Sequence, residues 1–465
     1  MTTVPHNTVM EKVVRHELCC CCGLCAAVCP QQRLVIQETE YGEFFPFVEK
    51  NVNTPKKTCD DLCRLCLSVC PCVPGIKTEN VPWAELLDSD GETFRHDDVL
   101  GAYHQTYVGA VSRDSERLKA PSGGFATALL CRLLEKKQID AAIVASPTTE
   151  RPWFERRVAT TMEEVLQSRG SVYHVLKNDD VLREIIDGPE CCYAVVALPC
   201  MAKAIRLAQQ RFPKLKRRIR YVLGLTCGGC NTLHMPDLLT VMLGEQHAEL
   251  CYRSKRNAKN ARDYSVALPD QPERPSVRML GLFGFLWINH IGMLSSCLYC
   301  NDVFAKWADV TLMDAWLPEY IPDARGTSLA ISRNTEVSEQ FDAMLSDGTF
   351  QGGIISPERI RESQESVTEE RQRYHRVFSE LAGLSTGHSN TATCSKKELC
   401  WGKRFLACHR NMRKLLRYYS HKLAQHPNWY SRVYIVRLFW LTFLSLVRHR
   451  LLKKTIQSLH FLKKK

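Results

Sequence analysis

Two runs of closely spaced cysteines dominate the start of this chain and restrict what it can become. The first is Cys19-x2-Cys22-x2-Cys25-x3-Cys29, followed by Pro30, and the second is Cys59-x3-Cys63-x2-Cys66-x3-Cys70, followed by Pro71. Of 23 cysteines in 465 residues, eleven fall within the first 72. At such intervals disulfide geometry cannot satisfy them all. A chain of this length buries a full core without staples, and the opening MTTVPHNTVMEK has no apolar h-region of a secretory signal. The expectation is a reducing compartment, hence a cytoplasmic protein, with metal held by thiolates.

The first run has the spacing by which a ferredoxin loop wraps a [4Fe–4S] cube. The second repeats it with one extra residue in its first gap. In two-cluster ferredoxins the fourth cysteine of each run serves the other cluster. On that logic Cys19, Cys22, Cys25 and Cys70 hold one cluster, and Cys59, Cys63, Cys66 and Cys29 hold the other. Structural zinc is the rival reading, but it draws on separated CxxC knuckles rather than three cysteines at successive three-residue steps. Cys20, Cys21 and Cys72 are surplus and read as neighbours of the clusters.

The charge is uneven. Residues 403–465 contain 16 Lys/Arg and no Asp or Glu, so the rest of the chain, with 46 basic and 50 acidic residues, is mildly acidic although the formal net charge is +12. The apolar stretch at 429–447 is interrupted by Arg432 and Arg437, and its uninterrupted run from Leu438 is short of the ~20 residues a spanning helix needs. Basic flanks around aromatic residues suit a helix lying on an anionic membrane surface, giving a peripheral membrane protein. A helix packed on the body is the plain alternative. Nucleic-acid binding is not expected, because nothing in the tail resembles a base-reading module.

Four regions follow: a two-cluster ferredoxin-like domain at 1–85, α/β regions at 100–185 and 186–385, and a basic, aromatic, helical tail at 394–465. The fold class is therefore α+β. The body alternates β-rich runs (141–145, 193–198, 221–226) with amphipathic helices (124–137, 162–168, 179–186, 201–211). Ser122-Gly123-Gly124 reads as a turn before a helix, with Ser122 as its cap and the glycines allowing close backbone approach. Such a helix start can receive an anion, for instance a flavin phosphate. Cys200, Cys227 and Asp314 each fall at the end of a strand, where ligands of α/β sheets gather.

In order and rough spacing, the ferredoxin-like cysteines, Ser122-Gly123-Gly124, Gly170-Ser171 with Tyr173, Pro199-Cys200, Cys297-x2-Cys300 with Asp302, Ala308-Asp309, and Asp314 with Trp316 resemble the coenzyme F420 hydrogenase/dehydrogenase beta-subunit family. The resemblance covers about residues 15–335. It departs from the family pattern at Ala197-Leu198, Val172 and Met313. It implies two [4Fe–4S] clusters and FAD, with Ser122, Gly123, Gly124, Cys200 and Asp314 as candidate cofactor-binding residues. It also implies an electron partner, either a ferredoxin or a partner subunit. A further cluster involving Cys297 and Cys300 is compatible with it. The implied activity is an oxidoreductase passing electrons between clusters and a flavin-linked hydride acceptor or donor. Its alternatives are a ferredoxin-dependent reductase of another substrate and a non-catalytic electron-transfer subunit. Tyr173 and Asp314 are the polar residues that could move a proton, and neither is assigned that role.

Overall fold

A computed structural model describes residues 8–49, 63–74, 94–245, 247–269, 273–274, 276–384, 393–425 and 430–448. Cys59 lies outside these residues.

The N-terminal unit is built around an antiparallel hairpin of β1 (Leu34–Glu38) and β2 (Phe44–Val48). Gly42 makes its turn with φ +71°, a left-handed conformation that suits glycine. The hairpin tip is seated on the body. Leu233 N–H donates to the Gly42 carbonyl at 2.8 Å, and a Cβ at Gly42 would meet the Leu233 nitrogen at 3.1 Å. Each described cysteine run enters a one-turn helix, Leu24–Ala27 in the first and Leu65–Ser68 in the second.

After the short pair β3 (Arg95–Asp97) and β4 (Gly101–Tyr103), the chain enters its main sheet. The strands are β5 (Gln105–Val111), β6 (Ala141–Pro147), β7 (Phe154–Ala159), β8 (Tyr193–Ala197) and β9 (Ile219–Leu225). A small three-stranded sheet follows, of β10 (Cys251–Ser254), β11 (Ser265–Ala267) and β12 (Val277–Arg278). The main sheet is completed by β13 (Val310–Asp314), β14 (Ser328–Ser332) and β15 (Phe350–Ile354). Its order is β15-β5-β14-β13-β9-β8-β6-β7. The four strands β13, β9, β8 and β6 are mutually parallel, and the outer strands pair antiparallel.

Alternation explains why the central strands read as continuous apolar runs. Ala141 and Ile143 pack into one buried cluster with Ile205 and Leu182, whereas Ala142 and Val144 pack into another with Phe125, Leu129 and Phe341. Both faces of the parallel strands are covered, so no polar face is left to interrupt them. The regions 100–185 and 186–385 share this sheet, β5 to β7 coming from the first and the remaining strands from the second.

The tail is helical over Lys396–Gln425 and Tyr430–Arg448. Phe405, Cys408, Met412, Leu416 and Tyr419 of the first helix join a core with Met235, Leu238, Ile291 and Tyr374, so this helix packs on the body. Among the described residues no helix is long and apolar enough to cross a membrane.

Candidate functional site

The cysteine runs form the first part of the site. Cys19, Cys20, Cys22 and Cys25 line one cavity together with Cys70 from the second run. Its remaining wall is apolar, from Val9, Val13, Ile36, Phe44 and Pro46. A second cavity is lined by Cys63 and Cys66 together with Cys29 from the first run. The fourth cysteine of each run therefore faces the other run's cavity. Burial raises the Cys25 thiol well above its ordinary range, and the thiols of Cys22 and Cys19 add to that. The thiol of Cys72 raises Cys70 well above its ordinary range, burial adds to the rise, and Cys22 and Cys25 contribute further. Among the described residues no three His, Cys, Asp or Glu side chains converge as they would on a single metal ion, and all cysteines are free thiols.

Gly23 shows why the first run carries a glycine. It opens the Leu24–Ala27 turn with φ +75°, and a Cβ there would meet the Asp179 nitrogen at 2.9 Å. Of the surplus cysteines, Cys21 is buried outside the lining of the first cavity. Cys20 reaches the thiols of Cys200, Cys22 and Cys72.

Cys200 begins the second part of the site. Pro199 occupies the first turn of helix Pro199–Arg211, which starts directly after β8. Cys227 follows β9, its N–H donating to the Val303 carbonyl at 3.1 Å. Cys297 and Cys300 come from the segment before β13. Cys230 N–H donates to Cys297 Sγ at 3.4 Å. Burial, with Cys297 and Cys200 nearby, pushes the Cys227 thiol up to about 12, and burial pushes Cys297 up to about 11. Cys300 is raised by burial and then by Cys200. The chain thus gathers Cys200, Cys227, Cys230, Cys297 and Cys300 at the carboxyl ends of adjacent parallel strands, and Cys20 connects them to the first cavity. Arg371 sets a buried cation beside them, Nη1 donating to the Cys297 carbonyl at 3.1 Å.

The third part surrounds Asp314, at the end of β13. Its carboxylate accepts from Arg253 Nη1 at 2.8 and 2.7 Å. The Arg253 guanidinium lies over the Tyr264 ring at 4.3 Å and over the Trp316 ring at 5.4 Å. Burial alone would lower it, yet the Asp314 carboxylate raises it above its ordinary value. Two residues on, Lys255 Nζ donates to the carbonyls of Arg117 and Ser122 at 2.8 and 2.9 Å and to that of Arg325. Burial, and next the Arg253 charge, push Lys255 down to about 7. Lys255 thereby ties the Ser122 turn to the Arg253–Asp314 pair.

The Ser122 turn differs from its expected form. Ser122 does not cap the helix. Its hydroxyl donates to the Thr327 carbonyl at 2.8 Å, and Gly124, with φ +90°, stands at the cap position of helix Phe125–Glu135. Gly123 N–H donates to Ser328 Oγ at 2.9 Å, and a Cβ on Gly123 would lie 2.5 Å from the Gly109 carbonyl oxygen. The hydroxyl and this glycine are accounted for by packing against β5 and β14.

Residues 106–183 match the amino-terminal part, and residues 192–357 the carboxy-terminal part, of the family described as coenzyme F420 hydrogenase/dehydrogenase, beta subunit. Together the matches cover just over half of the chain. The chain belongs to the coenzyme F420 hydrogenase/dehydrogenase beta-subunit family. Among similar members, an F420H2 dehydrogenase subunit of Methanosarcina mazei is 27% identical over 222 residues, 47% of this chain and 55% of the relative. The beta subunit of coenzyme F420 hydrogenase from Methanosarcina barkeri is 27% identical over 293 residues, 59% of this chain and 94% of the relative. The match therefore spans about half the length of the first relative and nearly all of the second. A solved chain of the F420-reducing [NiFe] hydrogenase complex from Methanosarcina barkeri is 19% identical, with a TM-score of 0.49 over 65% of this chain and 99% of that one.

Within this family member, Arg253, Lys255, Arg371 and Cys230 were not legible as site residues. Cys230 had a signal, since Cys227-Gly-Gly-Cys230 is a CxxC pair. The cations had none, because Tyr252-Arg253-Ser254-Lys255 carries no spacing that distinguishes a buried cation from a solvated one.

Proposed function

We propose that this chain is an iron–sulfur oxidoreductase subunit that passes electrons between [4Fe–4S] clusters and a flavin-linked hydride acceptor or donor, coenzyme F420 being the first candidate. The observation that carries this reading is the exchange of fourth cysteines, Cys70 in the first cavity and Cys29 in the second. Five thiols line the first cavity, of which Cys19, Cys22, Cys25 and Cys70 are assigned to a cube of iron and sulfide with Cys20 as their neighbour, and Cys59 is the fourth thiol assigned to the other. Cys200, Cys227, Cys297 and Cys300 are assigned a third such group, with Cys230 N–H donating to sulfur, the kind of bond that tunes cluster potential. Clusters supply single-electron transfer, and a flavin supplies the exchange between single electrons and a hydride.

The protein's own contribution is placement and dielectric. Val9, Val13, Ile36 and Phe44 keep water from the first cavity. Cys20 lines that cavity and also reaches the thiols of Cys72 and Cys200, so it links the cavity to the cysteines at the strand ends. There Asp314, Arg253 and Lys255 supply the fixed charges that would orient a polar acceptor. Ser122 and Gly123 are not given a phosphate to bind, since their hydroxyl and N–H are bonded internally. The electron partner is a ferredoxin or a partner subunit, in a reducing cytoplasm.

That internal bonding favours a second reading, an electron-transfer subunit without flavin. The two separate in one experiment. The full chain is reconstituted anaerobically with iron and sulfide, incubated with FAD, desalted, and then exposed to reduced F420 or reduced ferredoxin. Retained FAD with bleaching of the visible spectrum supports the oxidoreductase. Bleaching by ferredoxin without retained FAD supports the carrier. Failure to retain iron overturns both.

A further inference from the structure

The terminal helix Tyr430–Arg448 is inverted relative to what a water-facing helix should be. It lies antiparallel against Lys396–Gln425, with Cys408 Sγ 3.5 Å from Ser445 Oγ toward one end and the Tyr419 and Tyr434 rings 6.1 Å apart toward the other. Its inward face includes Leu438 and Thr442, both 0% exposed, with Ser445 and Leu446. The Thr442 hydroxyl is buried there without a hydrogen-bond partner. Its outward face carries Val436 at 68% and Trp440 at 59% exposure, with Phe443, Leu444 and Val447 also exposed. These five recur at three- and four-residue steps and so form one stripe. A globular helix puts hydroxyls outside and Trp inside, and this one does the reverse. A contiguous exposed apolar stripe marks a surface that something covers.

The charge around the stripe says what. At about 100° per residue, Arg437 and Arg448 border it on one side, and both are exposed. No acidic residue follows Glu398 in the sequence, and sixteen Lys/Arg lie between 403 and 465. Arg413 is not one of the outward cations, because it turns inward to Glu43. A protein groove specific for the stripe would normally be matched by both signs of charge at its rim. A surface of uniform negative charge over an apolar layer matches cations around a Trp-bearing stripe. At nineteen residues the helix is a rod of roughly 28 Å. One side is held by Lys396–Gln425, so only the stripe is available.

We propose that this helix docks the protein in the plane of an anionic membrane, with Trp440 and Phe443 entering the headgroup boundary and Arg437 and Arg448 facing lipid phosphates. The proposal stands independently of the redox reading.

The test uses the full chain and vesicles of phosphatidylcholine with or without phosphatidylglycerol. The expected result is flotation with the anionic vesicles only, weakened by salt, and a blue shift of tryptophan emission that Trp440→Phe removes. Trp440→Gln with Phe443→Ser should weaken binding by about tenfold or more, and Arg437→Gln with Arg448→Gln should reduce the preference for anionic lipid. Since all four side chains are exposed, the variants should keep the parent visible and circular dichroism spectra. Absence of flotation in the parent overturns the proposal. So does binding that is indifferent to the double apolar variant, or a dimer in solution that this variant dissolves.

Discussion

Arg413 Nη2 lies 2.6 Å from Glu43 Oε1, and both side chains are buried. The pair fastens helix Lys396–Gln425 to the tip of the β1–β2 hairpin, whose cysteine neighbours line the first cavity. Arg413 also donates to Ser295 Oγ at 2.6 Å and lies over the Tyr41 ring at 4.7 Å. A tail helix read from sequence as a basic surface thus contributes one of its cations to the interior.

Removing one partner of a buried pair leaves the other charge uncompensated, at a cost of about 3–5 kcal/mol. Arg413→Ala should therefore destabilise the full chain by that amount in urea unfolding. Arg413→Met combined with Glu43→Leu should recover most of it, because the double variant leaves no orphan charge. A loss below about 1 kcal/mol for the single variant, typical of a surface pair, would show the linkage to be peripheral.

Acid should destabilise the protein before its carboxylates titrate. His174 is buried between the Tyr252 hydroxyl at 2.8 Å and the Pro152 carbonyl at 3.1 Å, and burial pushes it down to about 4. In the unfolded chain it titrates near 6.5. Between those values the unfolded state binds the extra proton, so this stability is present above 6.5 and is lost as pH falls toward 4. The loss amounts to about 3 kcal/mol. His409, pushed down to about 3 by burial, acts in the same direction. Unfolding midpoints measured from pH 7 to 4 should fall, and His174→Gln should flatten part of that slope. An unchanged slope would mean that the ring is accessible to protons.

Gly123 should be intolerant of any side chain. A Cβ there would meet the Gly109 oxygen at 2.5 Å and the Ser328 nitrogen at 2.6 Å, both backbone atoms. Gly123→Ala should cost about 1–3 kcal/mol through overpacking. Gly353 of β15 has open space around its Cβ position, so Gly353→Ala serves as the neutral control. Equal melting temperatures for the two variants would show that the turn is not held as described.

Arg253→Lys keeps a positive charge but loses the flat contact with Tyr264 and Trp316. The Asp314 carboxylate would then be held by a point charge on a flexible stem. The expected result is a lower unfolding midpoint with an unchanged iron content, since neither residue lines a thiol cavity. Loss of iron would instead place the pair within cluster assembly.

Much of this organisation could be read from the residues. The parallel core was legible because β6, β8 and β9 are short apolar runs between amphipathic helices, and burial on both sheet faces enforces that pattern. The spacing of the two runs matches them to two-cluster ferredoxins, and it is the ligation pattern of those proteins that leads to the expected crossing of Cys29 and Cys70. Other features depend on three-dimensional partners. Ser122 reads locally as a cap, but Thr327 and Ser328, some two hundred residues later, compete for the turn's polar groups and win. Arg253 and Arg413 look like ordinary surface cations until Asp314 and Glu43 fold against them. Cys200, Cys227, Cys297 and Cys300 could be grouped from sequence as strand-end and CxxC cysteines, but the approach of Cys20 and Cys230 to them depends on the folded chain.

The most direct measurement is iron and acid-labile sulfide per chain in anaerobically reconstituted cysteine variants. If Cys22 and Cys70 serve one cluster, the double variant Cys22→Ala/Cys70→Ala should lose about four irons, the same as either single variant, whereas Cys22→Ala/Cys29→Ala should lose about eight. A loss of about eight irons from the Cys22/Cys70 double variant would contradict the exchange of ligands between the two runs.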